Sequence, residues 1–161
     1  MKRFSYAIFH NGEVFLEAAK RCHETRPDAV TGQLNSLLFP AEHCAVIACE
    51  MFLKAISAAP SESSDREVTI RTWRGHSGHV THALVERQLN TEIGSKVRMQ
   101  LTEAEVSEIA TLRDRFTQSR YPYERSTTRP EADKALVLAE KLYNAIRVAM
   151  QPDVDGNIQL G

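Results

Sequence analysis

Apolar residues recur along this chain with a helical rather than a strand period. Phe15, Ala18, Ala19 and Cys22 lie three and four residues apart, with Glu13, Glu17, Lys20 and Arg21 on the other face. The spacing predicts a first helix over 12–24, with Asn11 as N-cap and Pro27 beyond its end. The apolar piece from Phe4 to Phe9 either extends this helix backwards or packs as an irregular arm, because Gly12 permits a break. From Pro40 to Ser57 the sequence is apolar almost all round. Cys44, Ile47, Ala48, Met51 and Ala55 form one stripe, and Ala45, Cys49, Phe52, Leu53 and Ile56 widen it. Only His43, Glu50, Lys54 and Ser57 form a narrow polar strip, so this helix belongs in the middle of a bundle, with Met51 near the centre of its buried axis.

The stretch 58–66, with Pro60, Ser61, Ser63 and Ser64, reads as an exposed loop, and 68–73 alternates like a short strand or continues the connection. A third helix is predicted from His79 to Ile93, burying Val80, Leu84, Val85, Leu89 and Ile93, with Gly94 as its C-terminal cap. Thr102 and Glu105 have capping-box spacing and open a fourth helix with Ile109, Leu112 and Phe116 on one face, ended by Pro122. Thr128 and Glu131 repeat that spacing around Pro130 and open a fifth. Its stripe is Ala132, Ala135, Leu136, Ala139, Leu142, Tyr143, Ile146 and Met150. The expected fold is all-α, an up-and-down bundle of four to five helices, as one domain over 1–150 with a fraying tail over 151–161.

Composition sharpens this picture. A chain of 161 residues with 42% hydrophobic and 25% charged residues suits one soluble domain. A net charge of -1 lacks the positive field that holds long nucleic acid without regard to sequence, so any RNA contact has to be local. No apolar run of membrane-spanning length and no signal-peptide pattern is present, so the expected location is cytoplasmic, with no membrane contact. Cys22, Cys44 and Cys49 lack paired spacing and read as small buried apolar groups of a reducing compartment.

Few residues carry candidate chemistry. Glu50 and Lys54 stand one turn apart in the favourable order for an ion pair. They form either a salt bridge at the bundle surface or part of a polar groove with a partner such as Arg120. His76, His79 and His82 recur every third residue, which spreads them around a helix instead of converging on a metal ion, so neither metal nor cofactor is expected. Arg71 with His76 and Arg74 with His79 each leave four residues between guanidinium and imidazole, a spacing that can bring both to a phosphate. Arg113, Arg115, Arg120, Arg125 and Arg129 are interleaved with Phe116, Tyr121 and Tyr123. Such a run can stack bases and hold phosphates, or simply form a solvated helix end.

Three of these pieces, in this order, resemble a HEPN domain, a helical bundle of prokaryotic defence and toxin–antitoxin systems. Residues 45–55, Ala-Val-Ile-Ala-Cys-Glu-Met-Phe-Leu-Lys-Ala, are similar to the family's central helix with its Glu-x-x-x-Lys. Gly78-His79, or His82-Ala83-Leu84, resembles the start of its next helix, and Ser119-Arg120-Tyr121-Pro122 resembles its Arg-Tyr-Pro turn. The resemblance covers roughly residues 12–150. It implies a homodimerising module associated with nucleotide or RNA, or with a nucleotidyltransferase or antitoxin partner. The ligand groove would then be lined by Glu50, Lys54, His79, His82, Arg120 and Tyr121. Family members that cleave RNA without metal use an Arg-x4-6-His motif on later helices. Here the last histidine is His82, so the resemblance implies binding without catalysis. The alternative is a metal-independent ribonuclease using Arg74 and His79, or Arg71 and His76.

Overall fold

The computed structural model describes residues 5–32, 34–56, 82–112 and 131–151. It is all-α apart from one two-residue strand pairing, with six helices among the described residues. Helix α1 spans Tyr6–His23, α2 Leu38–Ile56, α3 His82–Leu89, α4 Glu92–Arg98, α5 Glu103–Ala110 and α6 Ala132–Ala149.

Helix α1 begins earlier than its polar pattern predicts. Ser5 is the N-cap, its hydroxyl accepting from Ile8 N–H at 3.4 Å, so the apolar residues from Tyr6 to Phe9 form the first turn of the helix and Asn11 lies exposed in its second turn. Gly12 does not break the helix; it faces the core, where a side chain would collide with the Phe52 ring. Lys20, Arg21 and His23 occupy the last turn, where cations offset the negative end of the helix dipole. Ser5 N–H donates to Ala55 O at 3.0 Å and Leu37 N–H to Cys22 O at 2.8 Å, so α1 and α2 are joined at both ends as an antiparallel pair.

Between them, β1 (Arg26–Pro27) pairs antiparallel with β2 (Leu34–Asn35), a hairpin that hydrophobic patterning does not announce because both strands are two residues long. Asp28 holds its turn: its carboxylate accepts from Val30 N–H at 2.9 Å and Thr31 N–H at 2.7 Å. These bonds, led by the one from Thr31, keep its carboxyl below the usual range. Gly32 then adopts φ 67°, a conformation open to glycine.

The predicted third helix is two helices. α3 stops at Leu89 and α4 restarts from Thr91, whose hydroxyl accepts from Gly94 N–H at 3.0 Å. Gly94 is therefore not a C-terminal cap but a buried residue inside α4, and the bundle has more helices than the four to five expected. The capping box of α5 forms as predicted: Thr102 Oγ1 accepts from Glu105 N–H at 3.2 Å, and Glu105 Oε2 accepts from Thr102 N–H at 2.8 Å. A hydrogen bond from Lys141 of α6, followed by that of the Thr102 backbone, holds the Glu105 carboxyl below its ordinary range. Thr102→Ala is expected to cost about 1 kcal/mol, lowering Tm by roughly 2–4 °C in a melt followed by circular dichroism.

The last helix starts at Ala132 with Glu131 as N-cap and no side-chain cap hydrogen bond into the helix; the capping box expected of Thr128 and Glu131 involves Thr128, which like Pro130 lies outside the described residues. The N-terminal donor is met from α2 instead: Glu131 N–H donates to Glu42 Oε1 at 3.3 Å. Glu42 is only 2% exposed, and a carboxylate there faces the positive end of α6.

The core lies where α1, α2 and α6 meet. Phe52 is fully buried, its ring centroid 5.2 Å from Phe9 and 5.7 Å from Tyr143, while Phe9 and Tyr143 stack 5.6 Å apart. Contacts between Glu42 and Glu131 at one end and Phe52 and Tyr143 at the other make α2 and α6 parallel. α2 is the buried axis, with Ala41, Ala45, Val46, Ala48, Cys49, Phe52, Leu53, Ala55 and Ile56 all in the core. Its most buried face is turned from the predicted one: Cys44, Ile47 and Met51 are half-buried, and Val46 takes a central place. No described helix is long and apolar enough to cross a membrane.

Candidate functional site

The polar strip predicted on α2 forms, but it lies deeper than a bundle surface. Glu50 and Lys54 make a direct ion pair, with 8% and 16% of their side chains exposed. A helix puts residues four apart on one face, and the apolar run around them keeps that face inside the molecule. An ion pair at such depth loses most of its hydration, so its attraction is partly cancelled by desolvation. Chemically the pair offers one carboxylate and one ammonium at the edge of the core.

Of the other residues predicted for the groove, only His82 has a described backbone. His82 is the first described residue of α3, and its side chain is outside the described set. His79, Arg120 and Tyr121 lie outside the described residues, as do the nuclease pairs Arg74 with His79 and Arg71 with His76. Among the described residues no cluster of three or more His, Cys, Asp or Glu side chains could hold a metal ion. The three cysteines are free. Cys49 is buried, which pushes its thiol up to about 12, whereas Cys22 and Cys44 are half-buried.

Two polar features escape a reading by periodicity. One is Glu42, which sits in the apolar face of α2 because its partner is a backbone N–H 89 residues away. The other is a chain of polar contacts from α1 to α6. His10 Nδ1 lies 3.1 Å from Glu13 Oε2, Tyr143 O–H donates to Glu13 Oε1 at 3.2 Å, and Arg147 stands 5.7 Å from the Tyr143 ring centroid. His10 and Glu13 are three residues apart, a helical-neighbour signal present in the sequence, whereas periodicity alone marks Tyr143 as part of an apolar stripe. Further along the same two helices, Lys20 pairs with Glu140 at 2.8 Å and His23 with Asp133 at 2.5 Å. Beside this ladder the outer face of α1 carries a shallow groove of about 460 Å³ lined by His10, Glu13, Val14, Glu17, Ala18 and Arg21.

The described geometry thus contains one buried ion pair on the central helix, one buried carboxylate capping the last helix, and one open groove on the first. No model of a known protein family, no curated protein and no solved structure matches the chain.

Proposed function

We propose that the chain is a HEPN-like helical module that dimerises and binds a nucleotidyltransferase-type partner or a nucleotide, without catalysis of its own. The observation that supports this reading most is the Glu50–Lys54 pair. Apolar residues of similar size at both positions would pack at least as well, since a buried pair rarely outweighs the hydration it loses. A charged pair on the most apolar helix therefore points to recognition beyond stability. Its place in the sequence, on the helix with the Glu-x-x-x-Lys pattern and ahead of the Arg120-Tyr121-Pro122 turn, agrees with the groove the resemblance implies.

The test replaces the pair as a unit. Glu50→Leu/Lys54→Met is expected to stay folded, because the two charges of the pair leave together and side chains of similar size fill their space. Binding is read by calorimetry with AMP and ATP and by co-purification with any nucleotidyltransferase found encoded beside the gene. At least a tenfold loss of whichever binding the wild type shows is expected from the double variant. Unfolding of the double variant, or undiminished binding by it, would make the pair structural and end this reading. Cleavage of labelled RNA by the wild type in EDTA, lost in Arg74→Ala, would instead establish the ribonuclease alternative.

A further inference from the structure

We propose that the outer face of α1 is a self-association surface on which a second copy of the chain lays its own α1 in antiparallel orientation. The proposal rests on the dimeric reading above and deepens it by naming the surface. Gly12, Leu16 and Ala19 turn one side of α1 into the core. The opposite side presents Ala7, His10, Val14, Glu17 and Arg21, at alternating spacings of three and four residues. That is the 3.5-residue seam by which one helix follows another. Val14, in the middle of the seam, is a large apolar side chain that is 55% exposed.

The shape of the groove suits a helix better than a small molecule. From His10 to Arg21 its lining runs about 16 Å along the axis at 1.5 Å per residue, with Val14 and Ala18 between the charged ends. A twofold axis at Val14 sets that residue against its own copy. Ala7 then faces the second copy's Arg21, and His10 faces the second copy's Glu17 and Ala18. Long side chains meet short ones, and each contact occurs twice, as in an isologous interface. A parallel arrangement would instead put Glu17 on Glu17 and Arg21 on Arg21, so charge selects the antiparallel one.

The orientation of His10 supports the same pairing. Its Nδ1 is turned to Glu13, and Glu13 is held from behind by the Tyr143 hydroxyl, so Nε2 points away from the bundle. As a neutral ring, Nε2 accepts from the second copy's Arg21; as imidazolium it donates to the second copy's Glu17. Glu17 and Arg21 are joined at 2.8 Å within one copy, so both are already ordered on the seam. One helix face per copy is a small interface, and the dimer is expected to dissociate on dilution.

Light scattering across a concentration series of the full chain tests this. Val14→Arg sets two like charges on the axis, and Glu17→Arg removes the acceptor that faces the second copy's His10 and sets a cation there beside Arg21 of its own helix. Each is expected to weaken the dimer at least tenfold while leaving the helical circular dichroism spectrum unchanged, because both positions are exposed. Val14→Cys is expected to give a covalent dimer on copper-catalysed air oxidation, whereas wild type and Arg21→Cys do not. A wild-type dimer that neither charge variant weakens and Val14→Cys does not cross-link would overturn this surface and leave the dimeric reading standing. A wild type that is monomeric at every concentration would remove both.

Discussion

Phe52→Ala is expected to lower the free energy of unfolding by about 3–5 kcal/mol, the range for deleting an aromatic side chain from a closed core. Domains of this size hold only about 5–15 kcal/mol in all, so the variant should sit near the edge of folding. The structure explains why the site cannot relax into the space. Phe52 is fully buried under Phe9 and Tyr143, and its remaining side is covered by Gly12, which has no side chain to move inward. A ring of this kind covers roughly 150 Å² or more, and at about 25 cal/mol per Å² its burial alone is worth near 4 kcal/mol. Urea denaturation monitored by circular dichroism gives the answer directly. A midpoint shift equivalent to under about 1 kcal/mol at unchanged slope would mean that the three rings are not the centre of the core.

Gly94→Ala is expected to be the more surprising loss, because alanine is intrinsically about 1 kcal/mol better than glycine inside a helix. Here that gain is outweighed. A Cβ at position 94 would lie 1.9 Å from the carbonyl oxygen of Gln88 and 2.8 Å from the Leu89 Cα. Both are backbone atoms of the turn where α3 ends, so no side-chain rotation relieves the overlap, and the corner between α3 and α4 has to open. Core overpacking typically costs about 1–3 kcal/mol, and a collision with main chain belongs at the upper end. Thermal melts should therefore show a Tm lower by roughly 6–12 °C. A rise in Tm would show that helix propensity governs this position and that the corner is not closely packed.

These two glycines also mark where the sequence was legible and where it was not. Local convention makes Gly12 a place where a break is possible and Gly94 a cap, since glycine commonly does either. In the fold each is a point where another part of the chain comes too close for a side chain, and proximity of that kind leaves no trace in the neighbouring residues. What is local was readable: the Thr102–Glu105 capping box, the Glu50–Lys54 pair, and the stripe of α6 through Ala135, Ala139, Leu142 and Ile146. Buried contributors such as Leu16 and Leu138 stood beside the chosen stripes, because the buried sector of each helix is fixed by where its neighbours dock. Of the predicted groove, only Glu50 and Lys54 could be followed into three dimensions, and their depth depends on the whole bundle. Glu42 belongs with the glycines: an acid in an apolar run has no evident purpose until the N-terminus of α6 is set in front of it.

That carboxylate has a consequence for the nascent chain. α1 and α2 leave the ribosome first and can close on each other early, but the side of α2 that receives α6 stays open until about ninety more residues have followed, as the separation of Glu42 from Glu131 requires. During that interval the Phe52 ring lacks the cover of Tyr143. Synthesis of this protein thus passes through a sticky two-helix hairpin, whose apolar surface is a substrate for ribosome-associated chaperones after residue 56 until α6 has docked.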